Sequence, residues 1–137
     1  MKNCTTIEQS RKLIKAKLDP DTSDMTWNVF ADGTTRLLPK DDWDNGGGVE
    51  MVPAWTTDAL LDIVPESLDN EDYWLIMEKN MYEHPSRRIE YSFGYEHYNM
   101  KHDRYERVAS GATPCEAAYN LVMYLIRNQL IDNKYIK

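Results

Sequence analysis

The segment 113–129 constrains the fold more than any other part of the chain. Thr113-Pro114-Cys115-Glu116 places a capping threonine, a proline at the first helical position and a glutamate at the third. From there to about residue 129 the polar side chains form only a narrow stripe at Glu116, Asn120 and Arg127. Ala117, Ala118, Leu121, Val122, Leu125 and Ile126 belong to the much wider apolar remainder. A helix that is apolar nearly all round is buried on most sides. The rest of the chain must therefore supply a broad apolar surface for it to lie on.

The residues before this helix have the pattern of such a surface. In 88–96, Ile89, Tyr91, Phe93 and Tyr95 alternate strictly with Arg88, Glu90, Ser92, Gly94 and Glu96, the period of two of a half-buried strand. Residues 73–79 are apolar on both faces and suit a central strand. His84-Pro85-Ser86 and 99–103 read as turns, and 104–110 as a further strand. Near the start, Thr5-Thr6-Ile7-Glu8 reads as a capping box between Thr5 and Glu8. The helix it opens runs to about Leu18 and is stopped by Asp19-Pro20. Residues 25–30 and 35–38 flank Ala31-Asp32-Gly33-Thr34 as a hairpin. Residues 39–52, with Gly46-Gly47-Gly48 and clustered aspartates, read as a mobile loop. A short helix is expected over 58–64, capped by threonine and ended by Pro65. The expected fold is a single α+β domain over 1–137. It has an antiparallel sheet of three or more strands, a buried C-terminal helix across one face, and an added N-terminal helix and hairpin.

Composition narrows the function classes. A chain of 137 residues is long enough to bury a core without a metal or disulfide staple. The longest apolar run, 121–126, is far short of the ~20 residues that span a bilayer. Residues 1–6 are not followed by the apolar stretch of a secretory signal. With only Cys4 and Cys115 there is no disulfide framework, so a soluble, cytoplasmic protein with two thiols is expected. The net charge is −7, and residues 19–78 hold two basic against fifteen acidic side chains. Such a middle repels phosphate backbones and argues against nucleic acid as a partner.

Motifs for chemistry are few. His97 and His102 lie on either side of an expected turn, beside Glu96 and Asp103, and could offer two imidazoles and a carboxylate to one metal ion. The close ligand pairs of zinc sites are missing, and solvated turn histidines explain the same residues. The acids Asp41, Asp42, Asp44, Glu71 and Asp72 read as loop carboxylates. No Lys-Ser/Thr follows the three glycines, and no serine stands in a Gly-x-Ser-x-Gly context. Cys115 sits near a helix N-terminus, which lowers thiol pKa, but on the stretch that turns inward. No catalytic, cofactor-binding or metal-ligating residue is assigned, and no cofactor is expected. Phe93-Gly94-Tyr95 with Tyr98, preceded by Arg87-Arg88, is similar to the aromatic strand of RNA-recognition motifs, where rings stack on bases.

Three segments taken in order carry a broader likeness. They are Cys4-Thr5-Thr6-Ile7-Glu8-Gln9-Ser10 running on to Trp27, Pro53-Ala54-Trp55 with Ala59-Leu60-Leu61, and Thr113-Pro114 with Glu116-Ala117-Ala118-Tyr119. Together they resemble a group of small uncharacterised proteins of gut bacteria and their phages, which implies a bacterial or mobile-element origin. Over 73–129, strands followed by Gly111-x-Thr113-Pro114-x-Glu116-Ala117 and Asn120 resemble the end of HicB-type antitoxin domains. The helix–three strands–helix order of 57–129 is similar to double-stranded-RNA-binding domains. Where those open the last helix with a lysine cluster, this chain has only Glu116. The favoured reading is a non-catalytic accessory or protein-interaction protein, phage-related, whose partner is another protein or a second copy, with no membrane partner. The alternatives are an antitoxin-like or RNA-binding regulator, and a metal-dependent enzyme using His97 and His102.

Overall fold

The computed structural model describes residues 3–40, 48–68, 73–83, 87–97 and 104–137, with backbone alone at 97 and 104–107. The fold is α+β, and the chain gathers into two compact units. Met1–Ile63 with Asn133–Lys137 form one, and Val64–Asp132 the other.

In the first unit, β1 (Met25–Val29) lies between β2 (Thr35–Pro39) and β3 (Glu50–Ala54), antiparallel to both. The β1–β2 turn is the expected one. Gly33 takes a φ of 87°, and the Asp32 carboxylate accepts from the Thr34 amide and hydroxyl at 3.0 and 2.7 Å. Those bonds hold the Asp32 carboxyl below its ordinary range. β3 corrects the expectation of loop throughout 39–52. Val52 and Ala54 point inward with Trp27 and Cys4 to form the core, while Glu50 and Met51 are exposed. Pro53 hides this strand from pattern reading, and the structure accommodates it because β3 lies at the sheet edge. Residues 41–47 of the expected loop lie outside the described residues.

Helix α1 (Ile7–Lys15) is capped one residue later than its sequence suggests: Thr6 and Gln9 form the reciprocal box. Thr5 is engaged elsewhere. Its amide donates to the Trp55 carbonyl at 2.8 Å, its hydroxyl accepts from the Trp55 amide, and its carbonyl accepts from the Trp27 indole. The helix also stops before Leu18. Lys17 adopts φ 75°, and the Leu18 and Lys17 amides donate back to the Leu13 and Ile14 carbonyls. This is a Schellman end, with buried Leu18 against buried Leu13, built on a lysine where glycine is usual. Helix α2 (Thr57–Asp62) is capped by Thr56, and a single helical turn at Asn133–Tyr135 returns to bond Asp19.

The second unit is a four-stranded antiparallel sheet in the order β4 (Ser67–Leu68), β5 (Tyr73–Tyr82), β6 (Arg88–His97), β7 (Arg104–Gly111). The last three are the expected strands, with β5 extended to Tyr82. The two-residue β4 carries too little pattern to be read in advance. Helix α3 (Pro114–Arg127) lies over β6 and β7, with Leu121, Val122 and Leu125 fully buried. Thr113 caps it as expected, and it ends in the same Schellman geometry at Gln129, φ 56°. No helix among the described residues is long and apolar enough to cross a membrane.

The strand-to-helix corner is tight. A Cβ on Gly111 would lie 2.7 Å from the Ala117 amide nitrogen and 2.9 Å from Glu116 side-chain carbons, and Asn120 donates to the Ser110 carbonyl at 2.8 Å. Gly111→Ala is expected to cost about 1–3 kcal/mol, because the clash is with helix backbone that cannot swing away. Lys17→Gly should do the opposite. Relief of the left-handed lysine outweighs the added freedom of the unfolded chain, for a net gain of about 0.5–1 kcal/mol. Urea unfolding of both variants checks the two signs together.

Candidate interaction surface

The direction of Gly111 fixes which sheet face α3 covers. Gly111 pairs with Tyr91, and Ala109 with Phe93, so these four share the face turned to α3. The β5–β6 register adds Leu75, Met77, Lys79 and Met81 to that face, opposite Tyr95, Phe93, Tyr91 and Ile89. Burial along it is uneven. Tyr95 and Phe93 are 0% and 2% exposed, whereas Met77, Met81 and Ile89 are 60%, 54% and 42% exposed. The helix therefore covers the β6–β7 half and leaves an apolar strip bare on β5 and the start of β6. Lys79 sits within this strip with its ammonium 5.8 Å from the centre of the Tyr91 ring, a cation–π contact.

The same strip borders an open backbone edge. β4 pairs only with Tyr73 and Trp74, and the Leu75 amide donates to the Glu66 carbonyl at 2.9 Å. Residues alternate sides along a strand, so the amides and carbonyls of Met77, Lys79 and Met81 face the same way as those of Leu75. No strand covers that side among the described residues. Sequence reasoning took 73–79 as a central strand. It is interior only where β4 reaches, and the two-residue length of β4 decides this.

Other candidates have structural explanations. Phe93 and Tyr95 are buried, so they offer no ring face to a base in the manner of an RNA-recognition strand. The Tyr95 hydroxyl donates to the Pro65 carbonyl at 2.9 Å, and burial pushes its phenol above the ordinary value of 10.0. Cys115 is 2% exposed and Cys4 7%, so both thiols belong to cores. A hollow of about 310 Å³ in the first unit gathers Asp24, Asp58, Asp62 and Tyr135. The Asp24 carboxylate there is occupied by the Thr56 amide and hydroxyl, which positions the cap of α2. His97 ends β6 opposite Tyr73, while His84 and His102 lie outside the described residues. Among the described residues no group of three or more His, Cys, Asp or Glu could hold a metal ion.

Comparison with known proteins finds no relative: no family model, curated protein or solved structure matches the chain. The interaction reading therefore rests on the surface itself.

Tyr95 gives this unit a pH dependence of definite sign. Its phenol is raised in the folded state, so the unfolded chain loses that proton first. The contribution to stability is complete below the ordinary value of 10.0 and is lost as pH rises from there towards the folded value. Tyr95→Phe should cost about 0.5–1.5 kcal/mol at neutral pH by leaving the Pro65 carbonyl unpaired. It should also flatten the alkaline decline, measured by denaturant unfolding at about pH 8 and about pH 10.5.

Proposed function

We propose that the protein is a non-catalytic accessory protein that works by binding another protein chain through the β5 side of its second unit. The observation carrying this reading is the coincidence of two unmet needs at one place. Met77, Met81 and Ile89 expose apolar surface beside α3, and among the described residues no strand pairs with the outward backbone groups of Met77, Lys79 and Met81. An exposed, partly apolar strand edge is a template for another strand, and adding a strand is a recurring mode of protein recognition. Methionine suits such a surface because its flexible, polarisable side chain adapts to the partner. The bacterial or mobile-element origin implied by the resemblance of the segments within 4–27, 53–61 and 113–119 is compatible with a small protein that attaches to a larger one.

A photo-crosslinking residue placed at Met81, compared with one at exposed Lys12 on α1, tests this in cells of the native host. A discrete protein adduct formed from position 81 and missing from position 12 is the expected result. Position 81 giving no adduct, or the same adducts as position 12, would remove the basis of the reading.

A further inference from the structure

We infer that the Asp32–Gly33 pair on the β1–β2 turn is a latent site of isoaspartate formation, and that Thr34 keeps it closed in the folded protein.

The reactivity belongs to the sequence, which holds this one Asp-Gly pair. The glycine amide nitrogen can attack the aspartate side-chain carboxyl carbon, because glycine has no Cβ to crowd the approach. A C–N bond forms, the carboxyl C–OH bond breaks, and the hydroxyl leaves as water with the amide proton. The product is a five-membered succinimide, which a second water opens at either carbonyl. Opening at the side-chain carbonyl restores aspartate. Opening at the main-chain carbonyl leaves isoaspartate, with the backbone routed through the side chain and one carbon longer. Both residues are exposed, so water reaches them freely. The longer backbone would strain the two bonds that close the turn. These run from the Gly33 amide to the Phe30 carbonyl and from the Phe30 amide to the Thr34 carbonyl, each 2.9 Å.

The folded turn opposes the first step at both reacting groups. The nucleophile is engaged, since the Gly33 amide proton that cyclisation must remove is donated to Phe30. The electrophile is tethered, since Oδ1 of Asp32 accepts from the Thr34 amide at 3.0 Å and from the Thr34 hydroxyl at 2.7 Å. Both bonds hold the carboxyl to residue 34, whereas ring closure needs its carbon on the nitrogen of residue 33. They also favour the ionised carboxylate, holding the carboxyl below its ordinary range. A carboxylate has no hydroxyl to release and is a poorer electrophile than the neutral acid. Thr34 supplies both tethers, and its hydroxyl is the one a side-chain change can remove.

The test follows isoaspartate at position 32 in the full chain, held for weeks in mildly acidic buffer. Tryptic peptide 18–36 carries Asp32 and excludes Asn45–Gly46, the other pair prone to this product, which lies outside the described residues. Electron-transfer fragmentation of that peptide distinguishes isoaspartate from aspartate, and the same chain unfolded in guanidinium chloride is the reference. Folded wild type is expected to accumulate isoaspartate at least about tenfold more slowly than the unfolded reference. Thr34→Val keeps the amide bond and the β-branched shape but loses the hydroxyl. It should speed the folded reaction about threefold, the worth of one net hydrogen bond, and leave the unfolded rate unchanged. Thr34→Ser restores the hydroxyl and should return the wild-type rate. Circular dichroism confirms that each variant is folded.

No isoaspartate at position 32 in the unfolded reference overturns the latent site, and a folded wild type as fast as that reference overturns its closure. Thr34→Val at the wild-type rate overturns the role of Thr34. So does Thr34→Ser as fast as Thr34→Val, which marks a loosened turn, or an equal gain from Thr34→Val in the unfolded chain, which marks a sequence effect.

Discussion

A single α-helix is too narrow to roof this sheet. With its side chains a helix is about 10–12 Å across, and neighbouring strands are about 4.7–4.9 Å apart, so one helix shelters about two strands. Helix α3 is held over β6 and β7 by a short connection from the end of β7, by the Gly111 contact with its first turn, and by the Asn120 bond to Ser110. Once the helix is anchored there, β5 lies beyond its reach. The gradient from fully buried Tyr95 and Phe93 to exposed Met77 and Met81 is that width expressed along one face.

The first unit buries Leu13, Leu18, Trp27, Trp55 and Leu60 around its three-stranded sheet. Its polar groups take on much of the positioning. Thr5 bonds Trp55 through both backbone and side chain, holds the Trp27 indole through its carbonyl, and shares a 2.8 Å bond with Ser10 of α1. Trp55 is itself fully buried, with its indole donating to Thr22 at 2.9 Å. The large majority of buried polar groups are hydrogen-bonded, and these pairings add directional constraints that apolar contact alone lacks. Asn28 on β1 stands out against this economy. It is fully buried, and its amide atoms have no hydrogen-bond partner among the described residues.

How much was legible in the residues follows from how far each signal reaches. The cap at Thr113, the Asp-Gly turn and the alternation of 88–96 are local patterns, and each element formed within a residue or two of where it was expected. Signals depending on remote partners were misread. Thr5 and Thr6 are equivalent as caps until Trp55 claims Thr5 from fifty positions away. Leu18 looks like a continuation of α1 until Lys17 turns left-handed to send the chain towards its pairing with Ile136. β3 contains a proline and reads as loop until the edge position that tolerates it is known. At the surface, the apolar character of 73–79 was plain, but the extent of its cover depended on a two-residue strand and the breadth of one helix.

The string Gly111-x-Thr113-Pro114-x-Glu116-Ala117 with Asn120 shows why likeness of sequence carries less here than geometry does. Each position has a mechanical task. Gly111 lets strand and helix approach, Thr113 bonds the Glu116 amide, Pro114 opens the helix, and Asn120 ties it to Ser110. Ala117 lies fully buried against the corner. Any chain making this strand-to-helix corner over an antiparallel sheet would meet the same demands, whatever it binds. Such a string marks an architecture, and function is free to vary on it. The edge on which the proposed interaction rests consists instead of backbone amides and carbonyls of β5, which have no residue identity to match. A surface of two methionines and peptide groups that no strand covers among the described residues leaves almost no trace in a motif, and it becomes visible only when the strand order and the reach of α3 are known.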